Sequence, residues 1–388
     1  MRQSLIDFGQ FNIRWDVGSA EEMGAMQTAP ALEPFSEETV RFLSDVSKKL
    51  LSSPMAKTYP DVVTFAFWIR KASLEKMKNR FADDFLRLGR GIVFHVAPSN
   101  VPVNYAYSLV AGLITGNANV VRIPSKEFPQ VDVINKAISE SLDDHEEMKP
   151  YIALVRYGHD AEVSKALTST ADVRVIWGGD NTIGEFRKFP LKPRATEVTF
   201  ADRYSLAVID ADVYMDMEDK KRVANDFFND TYLTDQNACT SPRVVVWMGR
   251  RIEEAKKLFW DHLHEHLIGK YEIQGVQIVN KLTSAYLAAV CRIGSIKEKS
   301  DDNLIVRVRV NSLDAELMDL KDNSGYFFEY HCNDIMELQD ICDDTRCQTV
   351  SYIGSKEIFT ELIKSGIKGV DRIVPVGKTM DFDMIWDG

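Results

Sequence analysis

The chain has 388 residues, enough for about two to three domains with large cores. Its 47 Lys and Arg against 58 Asp and Glu leave a net charge of −11, with no electrostatic footprint for nucleic acid or anionic lipid. Apolar residues at 45% exclude general disorder, and five irregularly spaced cysteines read as reduced thiols of a cytoplasmic protein.

The opening MRQSLIDFGQ has no basic start followed by an apolar run, so no secretory signal is expected. Val17 to Pro34 has no clear period and is expected to be a surface strap or mobile arm. Ser36 and Glu38 ahead of Val40, Leu43, Val46 and Leu50 predict a capped amphipathic helix, and Asp61 to Phe81 predicts a second. Ile92 to Val96 is a short apolar run suited to a strand covered on both faces. A turn from Ala97 to Pro102 leads into a helix ending at Gly116-Asn117, and Ala118 to Arg122 completes a βαβ unit. Tyr105 to Thr115, the longest apolar stretch, is too short to cross a bilayer, so no membrane insertion is expected. Strands at 152–157, 173–177 and 205–209, alternating with helices, predict a doubly wound α/β sheet. A second set of elements begins near Asp212, with strands at 244–247, 304–308, 349–353 and 372–376. Two α/β lobes with a cleft between them are expected.

Cys239 lies in a polar helix-to-strand loop beside amides, hydroxyls and Arg243. It reads either as a nucleophile with amide donors at hand for an oxyanion, or as an inert buried thiol. Gly178-Gly179-Asp180 to Gly184 follows a strand and opens a helix, which suits a dinucleotide phosphate or a tight structural turn. Asn100 faces the carboxyl edge of the sheet or serves its turn alone, and Glu197 is a base or a surface charge. His262, His264 and His266 read as solvated, His95 as a hydrogen-bonded core residue. His331, Cys332, Cys342 and Cys347 lack the usual zinc spacing, so no metal is expected.

The order of these signals carries a resemblance. Val96 to Pro102 and Gly116 to Ser125 resemble the PWNFP and GNxVVxKPS stretches of the aldehyde dehydrogenase superfamily. The Gly178 turn is similar to its GSTxxG, Thr196-Glu197-Val198 with Val208 to Asp212 to its ELGG…DAD, and Gln236 to Cys239 to its GQxC. Asp235 to Pro242 resembles the DQ(N/Q)ACSSP of the LuxC-type acyl-CoA reductases, as do Gln348-Thr349-Val350, Gly369 to Gly377, Phe382-Asp383 and Trp386-Asp387-Gly388. The similarity runs over residues 55–388.

The resemblance implies an aldehyde-dehydrogenase-like α/β fold: a doubly wound nucleotide-binding domain, residues 1–212 with 367–388 returning to it, and a second α/β catalytic domain, 213–366. It implies that Cys239 attacks a fatty acyl thioester of CoA or of an acylated partner protein. Asn100 and the Cys239 amide then hold the oxyanion, and a reduced nicotinamide releases aldehyde. Glu197 would be the general base. Ala97, Pro98, Ser99, Arg122, Ile123, Pro124, Ser125, Lys126, Gly178, Gly179, Asp180 and Gly184 would hold the cofactor. Ile123 replaces the family lysine and Lys126 the acidic residue beyond it, which favours a ribose 2′-phosphate and so NADPH, with NADH as the alternative. No glutamate of the EIFGPV type stands near Thr345 to Val350. An acyl-protein synthetase partner, homo-oligomeric assembly and a tail past Gly388 are further expectations. The rival readings are an NAD-dependent aldehyde dehydrogenase forming acid and an inactive acyl-carrying relative.

Overall fold

The computed structural model describes residues 5–300 and 302–382, and the chain divides into two units after Ala201. In the first unit the apolar run becomes the fully buried β2 (Ile92–Val96) of a six-stranded sheet. Its companions are β1 (Arg14–Val17), β3 (Ala118–Arg122), β4 (Ile152–Arg156), β5 (Val173–Trp177) and β6 (Thr196–Phe200). The order is β1-β4-β3-β2-β5-β6, all parallel except β1. Winding proceeds outward from β2 in both directions, so the carboxyl ends of β2 and β5 flank the point where the strand order reverses. The helix Asn104–Ile114 lays Ala106, Leu109, Val110 and Leu113 into the core and stops at Gly116. There φ is +83°, and a Cβ would strike the Leu32 carbonyl oxygen at 2.1 Å.

Beneath the β2 edge a buried polar chain is fully paired. The Trp177 indole donates to Ser108 Oγ at 3.0 Å, Ser108 meets His95 Nδ1 at 2.7 Å, and His95 Nε2 meets Asn119 Oδ1 at 3.0 Å. Asn119 donates onward to the Asn117 carbonyl at 2.8 Å. His95 is thus a core residue, and burial drives its pKa down to about 4 against the Asn119 contact.

Two expectations change in this unit. The supposed strap from Val17 to Pro34 begins with the end of β1, antiparallel to β4, and contains the helix Ala20–Met26, capped by Ser19 Oγ. Strand β1 is fixed by the buried pair Asp16–Arg156 at 2.8 Å. The helix expected over 61–81 is two helices, Pro60–Trp68 and Lys71–Phe81. The extended Arg70 between them turns the chain so that both pack on the helix Glu37–Ser52.

The second unit carries β7 (Tyr204–Asp210), β8 (Pro242–Met248), β9 (Ile296–Lys297), β10 (Val306–Arg309), β11 (Tyr326–His331), β12 (Cys347–Ile353) and β13 (Arg372–Pro375). Their order is β13-β12-β7-β8-β11-β10-β9, parallel throughout except for β9. Alternate residues feed two cores: Leu206, Val208, Val244, Val246 and Phe328 on one face, Ala207, Ile209, Val245, Trp247 and Phe327 on the other. The boundary expected at 212 therefore moves to 201/202, because β7 pairs with β8 and β12. Residues 367–382 also do not return to the first unit: β13 pairs in register with β12, Val350 opposite Ile373. Asp383 and Trp386-Asp387-Gly388 lie outside the described residues. Among those described, no helix is long and apolar enough to cross a membrane.

Candidate active site

In the first unit the structure brings three sequence candidates to one sheet edge. Val96 of β2 pairs with Arg122 of β3 and with Ile176 of β5, so the segments after these strands are neighbours. They are Ala97–Asn100, Ile123–Lys126 and Gly178–Gly184, joined by Ala97 N–H donating to the Arg122 carbonyl at 3.1 Å. Ser99, Asn100, Ser125, Lys126, Asp180 and Gly184 are exposed there, and Pro98, Gly178 and Gly179 half-buried.

This edge has the features a dinucleotide needs. Gly179 precedes the helix Asp180–Arg187, whose N-terminus has no side-chain cap. A Cβ at Gly179 or Gly184 would meet nothing within 4 Å, so a pyrophosphate can approach the backbone, whereas a Cβ at Gly178 would lie 3.0 Å from Thr182 Cβ. The Asp180 carboxylate is the one feature of that helix start opposed to an anion. Arg122 is committed to rings, 4.7 Å from the Tyr157 centroid and 5.8 Å from Phe186. Lys126 Nζ stands 4.8 Å from the Phe128 ring. Ile123 is corrected: only 2% exposed, with its amide bonded to the Val155 carbonyl at 2.9 Å, it packs in the core and presents no side chain to a ligand. Sequence reasoning missed Arg156, whose guanidinium donates to the Pro124 carbonyl and so pins this loop to β4.

Glu197 is also corrected. It sits near the start of β6, opposite Arg174 of β5. Its Oε2 accepts from Arg174 Nε at 2.9 Å, and its Oε1 from Arg187 Nε at 2.7 Å. Burial raises its pKa, but the Arg187 and Arg174 guanidiniums outweigh that and hold it below the ordinary glutamate value. A carboxylate so paired is a poor proton acceptor and ties two strands and a helix together.

Cys239 lies in the second unit, half-buried in the loop that feeds the central strand β8. That loop begins with two left-handed residues, Asp235 at φ +52° and Gln236 at φ +58°, costing roughly 1–2 kcal/mol each for non-glycine side chains. Gln236 offsets this with every polar atom it has. Its Nε2 donates to the Pro242 and Tyr326 carbonyls at 2.8 and 3.0 Å, and its Oε1 accepts from the Gly325 and Tyr326 amides at 3.0 and 3.1 Å. The loop is thereby welded to the first residues of β8 and β11. The Cys239 carbonyl accepts from Ser205 Oγ of β7 at 2.8 Å, and Ser205 Oγ accepts from the Thr349 amide of β12 at 3.2 Å. Arg243, 6% exposed, donates to the Asp322 carbonyl at 2.7 Å and to Asn323, whose amide donates to Asn237. Burial brings the Arg243 pKa down to about 10, against the opposing influence of Cys239, Asp202 and Asp322, so it stays cationic at neutral pH. Arg243 Nε and Ser241 Oγ are buried without a partner. A half-buried cysteine with a buried cation in electrostatic reach has the setting of a reactive cysteine.

The other cysteines and histidines offer no such setting. Cys342 and Cys347 are core thiols, and burial pushes Cys332 up to about 12. His264 pairs with Asp302 at 2.6 Å. Among the described residues, no group of three or more His, Cys, Asp or Glu is placed to hold a metal.

A family model of acyl-CoA reductase (LuxC) matches residues 19–388. A long-chain acyl-protein thioester reductase of Photorhabdus luminescens is 22% identical over 292 residues, covering 74% of this chain and 58% of that protein. One of Aliivibrio fischeri is 24% identical over 296 residues, with the same two shares. The match thus spans less than two thirds of these curated relatives. The solved NAD-dependent benzaldehyde dehydrogenase from Corynebacterium glutamicum is similar with a TM-score of 0.64 at 11% identity, covering 98% of this chain and 93% of that one. The fold is aldehyde-dehydrogenase-like. With a family match over nearly its whole length, the chain belongs to the acyl-CoA reductase (LuxC) family.

Proposed function

We propose that this chain reduces a fatty acyl thioester to an aldehyde through an acyl-cysteine on Cys239. The observation that carries the reading is the Cys239 loop itself: a half-buried cysteine whose loop backbone is held by Gln236 and Ser205, with the buried Arg243 cation in electrostatic reach. The Cys239 sulfur attacks the thioester carbonyl carbon, a C–S bond forms, and the negative charge passes to the carbonyl oxygen. The family resemblance implies the Cys239 amide as a donor to that oxygen and Asn100 as a second. Collapse expels the carrier thiolate, which takes up a proton, and leaves the acyl group on sulfur. Reduced nicotinamide, when bound, supplies the hydride that frees the aldehyde. Gly179, Gly184 and the Ala97–Asn100 turn would hold the dinucleotide, with Ser125 and Lys126 at a 2′-phosphate, which supports NADPH over NADH. Reduction releases a thiol and needs no water-activating carboxylate, which agrees with Glu197 being engaged by two arginines.

The names of the relatives support an acyl-protein substrate beside acyl-CoA. An acyl-protein synthetase as partner is part of the proposal. A cytoplasmic homo-oligomer completes the reading. The test is incubation with long-chain acyl-CoA, then NADPH, followed by peptide mass spectrometry and aldehyde detection. An acyl adduct on Cys239 that NADPH discharges as aldehyde is expected, and Cys239→Ala should abolish both. Full reductase activity in Cys239→Ala would overturn the reading.

A further inference from the structure

The helix Gly275–Cys291 lies outside the Cys239 loop, but one of its side chains runs toward it. Lys281 is 0% exposed, and its ammonium donates to the backbone carbonyls of Asn303 at 2.6 Å, Ser324 at 2.6 Å and Leu304 at 3.4 Å. A buried ammonium whose hydrogen bonds all go to main-chain oxygens holds those segments firmly, because releasing them strands a charge away from water.

What it holds is the other half of the Cys239 support. Ser324 at φ +60° and Gly325 at φ +86° form a left-handed pair facing Asp235 and Gln236. A Cβ at Gly325 would lie 2.3 Å from Tyr232 Oη, so only glycine fits the contact. The Ser324 amide donates to the Asp235 carbonyl, and the Gly325 amide to Gln236 Oε1, both at 3.0 Å. A parallel route starts from the same helix. Ser284 Oγ donates to Asp322 Oδ2 at 2.7 Å, and the Asp322 carbonyl accepts from Arg243. The two routes reach the loop three residues before and four residues after Cys239.

We propose that Lys281 is a positioning residue for Cys239: it presses the 322–325 turn onto Gln236 and so keeps the thiol in one place. This rests on the reading of Cys239 as the acylated nucleophile. Three non-glycine residues in the contact, Asp235, Gln236 and Ser324, hold left-handed backbone that relaxes once the bonds joining the turns are lost. Fully buried, Lys281 itself touches no substrate and acts through the turn.

The test uses Lys281→Met, Lys281→Arg as the conservative counterpart, and Gln236→Glu, each in the full chain. Gln236→Glu keeps the acceptor facing Gly325 and Tyr326 and loses the two donors. Iodoacetamide labelling with peptide mass spectrometry reports the reactivity of Cys239 against the exposed Cys291 without any acyl substrate. Thioester reduction then separates kcat from KM. In Lys281→Met the Cys239-to-Cys291 labelling ratio should change at least ~5-fold and kcat fall about 10- to 100-fold, with KM for the thioester within about three-fold. Lys281→Arg should recover most of kcat, and Gln236→Glu should reproduce the kcat loss. Labelling and kcat in Lys281→Met within about two-fold of the wild type would overturn the proposal. So would a kcat loss matched by an equal loss of folded protein with the labelling ratio unchanged. If Lys281→Met does not fold, Lys281→Gln, which keeps one donor group on a shorter stem, decides by the same two readouts and the same thresholds. A wild type that forms no aldehyde would remove the functional reading alone, since the labelling ratio still judges Lys281.

Discussion

Arg174 on β5 and Glu197 on β6 face one another across parallel strands, with Arg174 Nε 2.9 Å from Glu197 Oε2 and Arg174 Nη1 donating to the Phe186 carbonyl at 2.8 Å. The pair anchors the helix behind the glycine turn to the sheet. Glu197→Gln should therefore cost stability, about 2 kcal/mol by urea denaturation at pH 7, while kcat stays within about two-fold. The folded pKa lies below the unfolded one, so this stabilisation is present above pH 4.5 and fades as pH falls through the folded value. A kcat loss of a hundred-fold in a folded variant would restore Glu197 as the base.

His95 also loses its stabilising effect in acid, but at a higher pH and as a buried neutral ring rather than an ion pair. Its pKa is about 4 in the fold and 6.5 when exposed, so the unfolded chain takes up a proton first. Stability from neutral His95 is complete above pH 6.5 and drains away between pH 6.5 and 4, at about 1.4 kcal/mol per pH unit. Wild type and His95→Gln should converge in unfolding free energy as pH drops from 7 to 5. Parallel curves would show that the buried chain from Trp177 to Asn117 is not what senses acid.

Lys126 is exposed where a ribose 2′-phosphate is proposed. Lys126→Glu should lower kcat/KM for NADPH about ten-fold and leave NADH within about two-fold. An equal or higher kcat/KM with NADH in the wild type would remove the proposed preference.

Asp180 gives two effects of opposite sign. At the first position of an uncapped helix its carboxylate favours the helix and opposes a phosphate. Asp180→Asn should lose a few tenths of a kcal/mol in stability yet lower KM for either dinucleotide about two- to five-fold at low salt. A KM that rises would mean the carboxylate takes part in binding.

Much of the first unit was readable along the chain, because β2, its helix and β3 are adjacent and each states its role locally: an apolar run, a glycine stop, a second run. Strand β1 was not, since four residues with Arg14 and Asp16 among them look like loop until Arg156 arrives 140 residues later. Strand β6 failed for the same reason, as Glu197 looks solvated without Arg174 and Arg187. At the Cys239 loop the thiol and its polar surroundings were legible. Gln236 was not, because glutamine disfavours left-handed backbone locally and three of its four side-chain hydrogen bonds go to residues 325–326. The boundary slipped to 212 because β7 continues the strand–helix alternation while pairing with strands of the second sheet.

The family match starts at residue 19, whereas β1 occupies Arg14–Val17. A gene trimmed to that boundary would strip the flank from β4, leaving a wholly buried strand with a row of open amides and carbonyls, and would widow Arg156. Such a shortened protein would be expected to go to inclusion bodies and to loosen its Pro124–Lys126 segment. Expression work should keep the first eighteen residues.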